Sequence, residues 1–231
     1  MSKQLKYFEE GIEINNSKAV ICEINNGIGY FIFNNPPSNL MDETWSTQAQ
    51  DAINILGAWA KDKKIRGVIV TSNGRHFSAG ANLQSLEDAV VKRQKNYLSS
   101  MLGNSIFFEK LYDLPIPVVA AVRGVCIGSG FEFALACHWR ICDTRVVMGS
   151  VEATFGIMPG CGATIRLPKI VGVGNALELI MSGRRVDAEE GYKMGIIDKV
   201  VDHKDLLAES INFVNKLYPF YRSVNNTMER A

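Results

Sequence analysis

The sequence has little of what would attract a polyanion or cross a membrane. Among its 231 residues, 25 are Lys or Arg and 24 are Asp or Glu, so the formal net charge is only +1. Such a balance gives no field of one sign that would recruit nucleic acid or an anionic membrane. No stretch approaches the ~20 apolar residues of a membrane span, and the N-terminus lacks the apolar segment of a secretory signal. We therefore expect a cytoplasmic protein that binds neither nucleic acid nor membranes.

Cysteine and histidine are too sparse for a disulfide framework or a metal site. The five cysteines form no C-x-x-C pair, and their number is odd. This usage is typical of buried thiols in a reducing compartment. The three histidines are scattered, and no Ser or Cys stands in a nucleophile frame. The sequence therefore predicts neither a metal centre nor a hydrolase triad.

The hydrophobic pattern predicts strands that alternate with helices. Residues 19–24 and 28–33 predict a hairpin across an Asn-Gly turn, and Asp42 predicts the start of a helix that ends near Asp62. Further strands are predicted at 68–71, 118–122, 140–142 and 146–148, and helices at 86–114, 128–136, 163–171, 175–182, 188–194 and 204–217. Such alternation is typical of an α/β fold with mostly parallel pairing. We expect an α/β core over residues 1–200 and a C-terminal helical segment over residues 201–231.

Two glutamates stand in glycine-rich segments. Glu132 follows Gly-Ser-Gly-Phe, and Glu152 precedes Ala-Thr-Phe-Gly-Ile-Met-Pro-Gly. Two carboxyls held together among apolar groups can divide acid and base duties, and glycine turns can direct amides at an oxyanion. The pattern indicates proton transfer beside a polarised carbonyl. The alternatives are an exposed helical glutamate for Glu132, a helix-first-turn anion for Glu152, and glycines that serve only tight turns.

Four ordered motifs resemble the crotonase superfamily, the enoyl-CoA hydratase/isomerase family. They are Phe77-Ser-Ala-Gly-Ala-Asn-Leu, Pro117-Val-Val-Ala-Ala-Val-Arg-Gly, Gly128-Ser-Gly-Phe-Glu and Glu152-Ala-Thr-Phe-Gly-Ile-Met-Pro-Gly. The resemblance covers about residues 14–201. It implies a crotonase-like (ClpP/crotonase) spiral of ββα units with C-terminal helices, assembled as a homotrimer or hexamer. It also implies that the helical segment 201–231 is short for the family.

The resemblance implies a role for each motif. The amides of Ala81 and Ser129 would form the oxyanion hole for the thioester oxygen. Glu152 would protonate the substrate α-carbon, while Glu132 would orient and deprotonate the water that attacks the β-carbon. No cofactor is implied, since coenzyme A is part of the substrate. The implied substrate-binding residues are Ala79, Gly80, Asn82, Leu83, Gln84, Gly128, Pro159 and Gly160.

The leading prediction is an enoyl-CoA hydratase of fatty acid metabolism, a lyase that adds water in the syn sense to trans-2-enoyl-CoA. A double-bond isomerase, which relies chiefly on one proton-shuttling carboxylate, is the nearest alternative. A second is a polyketide-type dehydratase that acts on a carrier-protein-bound acyl group. The third is a non-catalytic paralogue that binds CoA or a protein, which is favoured by Asn82 and His138 where relatives usually carry Asp.

Overall fold

The computed structural model describes residues 10–12, 19–84 and 105–228, with side chains up to residue 223 in the last range. The predicted helix over 86–114 falls largely outside these ranges, and residues 105–112 of it are helical. The described strands are β1 Glu10–Ile12, β2 Val20–Asn25, β3 Ile28–Phe33, β4 Val68–Ser72, β5 Val118–Val122, β6 Val125–Ile127, β7 Trp139–Asp143, β8 Val147–Gly149, β9 Val186–Asp187 and β10 Lys199–Val201. The described helices are α1 Glu43–Lys61, α2 over 105–112, α3 Ser129–Leu135, α4 Ala163–Val171, α5 Val173–Ser182, α6 Ala188–Lys193 and α7 Leu206–Met228.

The strands form two sheets, and the prediction of mostly parallel pairing is confirmed. The larger sheet has the order β1-β2-β3-β4-β5-β7-β10 and is parallel from β3 onward. The predicted hairpin is the antiparallel β2–β3 pair, in which Asn25 lies opposite Ile28. β6, β8 and β9 form the smaller sheet. Because β4 and β5 are buried on both faces, their apolar runs lack the alternation of a half-exposed strand.

Helix α1 covers one face of the larger sheet. Its predicted cap is confirmed, since Asp42 Oδ1 accepts a hydrogen bond from the Trp45 amide at 2.8 Å. Trp45 stacks on Phe33 of β3 with ring centroids 5.4 Å apart, and Phe133 of α3 meets both rings edge-on. This aromatic cluster joins α1, the sheet and α3, so it fixes the position of the helix that carries Glu132.

Helix α7 covers the opposite face of the same sheet. Its buried residues Leu206 and Val214 pack with Ile69, Val119 and Ala121, which form a separate apolar cluster from the one beneath α1. The predicted end at residue 217 is wrong, because the helix continues through Pro219 to Met228. Proline lacks an amide donor and usually ends or bends a helix, but here helical backbone persists on both sides. Within the described residues, no helix combines the length and apolar character needed to span a bilayer.

Candidate active site

The turn after β4 leaves the backbone amide of Ala81 unpaired among the described residues. Met41 donates its amide to the Gly80 carbonyl at 2.9 Å, and Asn82 donates to the Met41 carbonyl at 3.1 Å. The Gly80 amide donates to the Ser78 hydroxyl at 3.1 Å. Between these bonds, the Ala81 amide has no acceptor among the described residues. The turn is therefore fixed by its neighbours while the Ala81 N–H stays available to an outside acceptor.

Helix α3 begins with a second available amide. Gly128 donates to the Gly149 carbonyl at 3.0 Å, and its own carbonyl accepts the amide of Glu132 at 3.0 Å. Ser129 is the first residue of the helix, where amides have no partner inside the helix. Its amide meets no acceptor within the described part of the chain.

Two glycines bring this turn, helix α3 and Glu152 together. Gly80 has φ +87°, and a Cβ added there would lie 2.9 Å from the Ile127 carbonyl oxygen and 3.2 Å from the Ser129 nitrogen. Gly128 has φ +57°, and its added Cβ would lie 3.6 Å from Glu152 Oε1 and 3.8 Å from the Gly80 Cα. Only glycine combines this backbone with so close an approach. Gly128 therefore lies between the Gly80 turn and the Glu152 carboxyl.

Glu132 is buried beneath this junction and holds the start of helix α4. Only 1% of its surface is exposed, and Oε1 accepts the amides of Cys161 at 2.8 Å and Ala163 at 3.0 Å. Burial raises the pKa of Glu132 to about 7, and the charge of Glu152 adds to the rise. The two amides and the Arg166 guanidinium oppose it. The carboxyl can therefore exchange a proton near neutral pH.

Glu152 is the first residue of a one-turn 3-10 helix, Glu152–Phe155. It is 8% exposed, and neither carboxyl oxygen accepts a hydrogen bond from the described residues. Burial raises its pKa. The nearby Ser150 hydroxyl opposes that rise, although no hydrogen bond of normal geometry joins the two groups. An unpaired buried carboxyl is costly, and such groups cluster at functional sites.

The remaining predicted binding residues lie on the two segments that flank this junction. Four belong to the turn after β4 and are partly or fully exposed, namely Ala79, Asn82, Leu83 and Gln84. Asn82 Oδ1 accepts the Gln84 amide at 3.1 Å, so the asparagine supports the local turn. The other two precede Cys161, and of these Pro159 is buried while Gly160 is exposed. Their contact with a substrate stays a prediction.

Sequence reasoning missed the residues that hold Glu132 in place. Arg166 of α4 donates from Nη1 to the Cys161 carbonyl at 3.0 Å and from Nη2 to Glu109 at 2.6 Å. It is buried, and it links α4 to α2 through Glu109. An arginine on the apolar face of a predicted helix was the available signal, since buried arginine needs partners.

His138 supports the fold rather than the site. Its Nδ1 accepts the Val118 amide at 3.0 Å, and Nε2 lies 2.6 Å from the Tyr112 carbonyl oxygen. These two partners fix the neutral tautomer with its proton on Nε2. Tyr221 of α7 lies 3.2 Å from Nδ1. Burial lowers the pKa of His138, so the neutral ring joins β5, α2 and α7.

The comparison with known sequences decides the family. A sequence model described as enoyl-CoA hydratase/isomerase matches residues 23–230, nearly the whole chain. The chain belongs to this family. The resemblance drawn from the four motifs is thereby confirmed.

Solved structures of similar proteins confirm the crotonase fold of this family member. DspI of Pseudomonas aeruginosa is 28% identical with a TM-score of 0.83, over 95% of this chain and 89% of that one. An enoyl-CoA hydratase from Bacillus anthracis is 28% identical with a TM-score of 0.80, over 92% and 84% of the two chains. An enoyl-CoA hydratase from Polaromonas sp. JS666 is 27% identical with a TM-score of 0.80, over 86% and 77%.

Proposed function

We propose that this chain is an enoyl-CoA hydratase that adds water in the syn sense to a trans-2-enoyl thioester. The amides of Ala81 and Ser129 hold the thioester oxygen as negative charge grows on it. Glu132 orients the water and takes its proton as oxygen bonds to the β-carbon. Glu152 gives a proton to the α-carbon, which completes the 3-hydroxyacyl thioester. CoA arrives as part of the substrate, and the reaction uses no further cofactor.

The observation that carries this proposal is the arrangement around Gly128. Two amides that have no acceptor among the described residues flank the Gly80–Gly128 contact, and the carboxyl of Glu152, which is likewise unpaired there, lies against the same glycine. A thioester oxygen can accept a hydrogen bond from each of these two amides. The pKa of Glu132, about 7, suits a group that must both accept and release a proton near neutral pH.

One observation favours a double-bond isomerase as the second candidate. Glu132 Oε1 accepts two amides at the start of α4, whereas neither oxygen of Glu152 has a hydrogen-bond partner in the described part of the chain. An isomerase moves one proton from carbon to carbon and can do so with a single free carboxylate. In that reaction Glu152 would be the shuttle, and Glu132 would support the structure.

Turnover of crotonyl-CoA in two matched variants separates these functions. For the hydratase, Glu132→Gln and Glu152→Gln each lower kcat about 10²–10⁴-fold, while the exposed Glu43→Gln leaves it unchanged. Loss of the conjugated thioester absorbance is the measurement. If Glu152→Gln alone matters and a 3-enoyl-CoA is consumed faster, the isomerase replaces the hydratase.

Two further results would exclude both the hydratase and the isomerase of CoA esters. A crotonyl carrier protein that turns over when crotonyl-CoA does not would point to a carrier-linked dehydratase. A folded protein that binds CoA without turnover of any enoyl thioester would be a non-catalytic paralogue.

We also propose that copies of this chain assemble as a homotrimer or a pair of trimers. Three apolar side chains repeat every fourth position along α5 and are 60–74% exposed, namely Val173, Leu177 and Met181. Such a stripe on a surface helix marks a protein contact. The helix packs against the 3-10 turn of Glu152, so assembly would support the site.

Light scattering after gel filtration tests this assembly. Wild type and a Gln50→Glu control on α1 should elute as trimers or hexamers, whereas Leu177→Glu should dissociate. The proposal would be refuted if wild type were monomeric at micromolar concentration, or if Leu177→Glu had the same oligomeric state as wild type.

A further inference from the structure

A cavity lies on the face of the larger sheet opposite to the candidate active site. It has a volume of about 150 Å³ and opens between the ends of β4 and β5 and the start of α7. Three of its lining residues, Ala121, Leu206 and Leu207, belong to the apolar cluster beneath α7, whereas helix α3 packs in the cluster beneath α1. The sheet therefore separates it from Glu132 and Glu152. The lining residues are Thr71, Ala121, Arg123, His203, Lys204, Leu206 and Leu207.

Arg123 brings a positive charge into this cavity and forms no ion pair with any described carboxylate. Its Nε is buried and has no hydrogen-bond partner among the described residues. Nη2 makes one long contact, 3.4 Å, with the Thr71 hydroxyl. Burial lowers the pKa of Arg123, but a guanidinium stays charged in proteins. A partly buried cation with an unused donor is costly unless an acceptor or an anion meets it.

The carboxylate of Asp143, whose charge acts on Arg123, is already engaged. Asp143 Oδ2 lies 2.7 Å from His203 Nδ1 and 3.3 Å from Arg145 Nη2. The charge of Asp143 reaches Arg123, but no carboxylate within the described ranges lies at ion-pair distance from the guanidinium. Among the described residues, Arg123 therefore keeps the capacity to bind an added anion.

Two more nitrogen-bearing side chains line the same cavity. Lys204 forms no ion pair or hydrogen bond with any described residue. His203 uses Nδ1 on Asp143, so its Nε2 is the nitrogen left for another contact. None of the lining residues is acidic, and the neighbouring Asp202 and Asp205 do not line the cavity.

We propose that this cavity binds a small oxyanion, a phosphate group or a short carboxylate. The planar guanidinium of Arg123 matches the paired oxygens of either group, and Lys204 supplies a second charge. The cavity holds the volume of several water molecules, which leaves room for a group of this size. Ala121, Leu206 and Leu207 form an apolar wall that would accept the alkyl end of a carboxylate. Because the sheet intervenes, the oxyanion and the acyl thioester occupy separate sites.

Titration with inorganic phosphate at constant ionic strength tests the proposal. The melting temperature of wild type should rise with a saturable dependence on phosphate beyond that of chloride, and calorimetry should give a dissociation constant. Arg123→Gln should weaken binding at least about tenfold, since a hydrogen bond to a charged group is lost. Lys204→Gln should weaken it less. Lys216→Gln, on the exposed part of α7, should bind as wild type does.

A parallel titration with butyrate identifies the source of the oxyanion. Saturable binding of phosphate alone assigns a phosphate site, and binding of butyrate alone assigns a carboxylate site. If Arg123→Gln fails to fold, Lys204→Glu at an exposed position replaces it and should abolish binding. Absence of saturable binding of either anion by wild type, or equal binding by Arg123→Gln and Lys216→Gln, would overturn the site. Neither outcome bears on enoyl thioester turnover.

Discussion

Glu132→Gln should make the folded protein more stable at alkaline pH. In the folded state burial raises the pKa of Glu132 from 4.5 to about 7, so ionising this carboxyl opposes folding. The glutamine keeps an acceptor for the amides of Cys161 and Ala163 but never ionises. A pKa change of this size corresponds to about 3 kcal/mol once the carboxyl is charged in both states.

The direction of the pH dependence follows from proton binding. Between pH 4.5 and about 7 the folded protein holds the Glu132 proton while the unfolded chain has released it. The contribution of Glu132 to stability therefore falls as pH rises through this window, and the loss is complete above it. Glu132→Gln removes this loss. Its advantage should be small near pH 4.5 and reach about 3 kcal/mol at pH 9, about 6–12 °C in Tm for a chain of this length.

Urea unfolding of both proteins at several pH values measures the difference. All other titrating groups are common to the two proteins, so their contributions cancel apart from the coupling of Glu132 to Glu152. The exposed Glu43→Gln is the matched control and should show no such trend. Glu132→Ala should be less stable than Glu132→Gln by about 2–6 kcal/mol, because two buried amides lose their acceptor. A Glu132→Gln advantage that stays constant from pH 5 to pH 9, or grows toward acid, would refute the reasoning.

Substitutions at three further positions test neighbouring parts of the structure. Gly80→Ala should lower the free energy of unfolding by about 1–3 kcal/mol, because the added Cβ would meet backbone atoms at a residue with positive φ. It should also lower kcat/KM by up to about 10²–10³-fold. An unchanged kcat/KM on crotonyl-CoA would contradict the role of this turn. Arg166→Gln should raise the pKa of Glu132 further and move the acid limb of the pH profile of kcat/KM to higher pH, whereas Arg166→Lys should move it less. Because the pKa of His138 is lowered on folding, the contribution of His138 to stability should be lost as pH falls below 6.5. Urea unfolding at pH 7.5 and 5.5 should therefore show His138→Asn gaining stability relative to wild type at the lower pH; an unchanged difference between the two proteins would contradict it.

Much of the fold could be predicted because local patterns agreed with the tertiary structure. The Asn-Gly turn, the Asp42 cap and the buried run of β4 each act within a few residues, and each stands as predicted. The end of α7 could not be predicted in this way. Packing of Leu206 and Val214 on the sheet anchors this helix, and tertiary contacts of that kind override the local penalty of Pro219.

The sequence predicted which residues belong to the candidate site but not which residues hold Glu132 in place. Glycine turns indicated where amides could be available, and burial of Glu132 followed from its apolar neighbours. The hydrogen-bond partners of that carboxyl could not be predicted, because Cys161 and Ala163 lie about 30 positions further along the chain. Sequence spacing carries no information on such a contact without a known fold. The same holds for Arg123, whose missing partner is a property of the space around it.

The two glutamates differ in their hydrogen-bond partners within the folded chain. Glu132 supports the start of α4 through two hydrogen bonds, yet its burial makes its ionised form unfavourable. Glu152 has no such compensation from the described residues, since none of them donates a hydrogen bond to either carboxyl oxygen. A buried polar group without partners lowers stability unless a ligand or water meets it. A thioester and a water molecule bound at Gly128 would meet both carboxyls, so enoyl thioester should stabilise wild type more than it stabilises Glu152→Gln. Equal shifts in Tm at saturating ligand would show that Glu152 faces something other than the substrate.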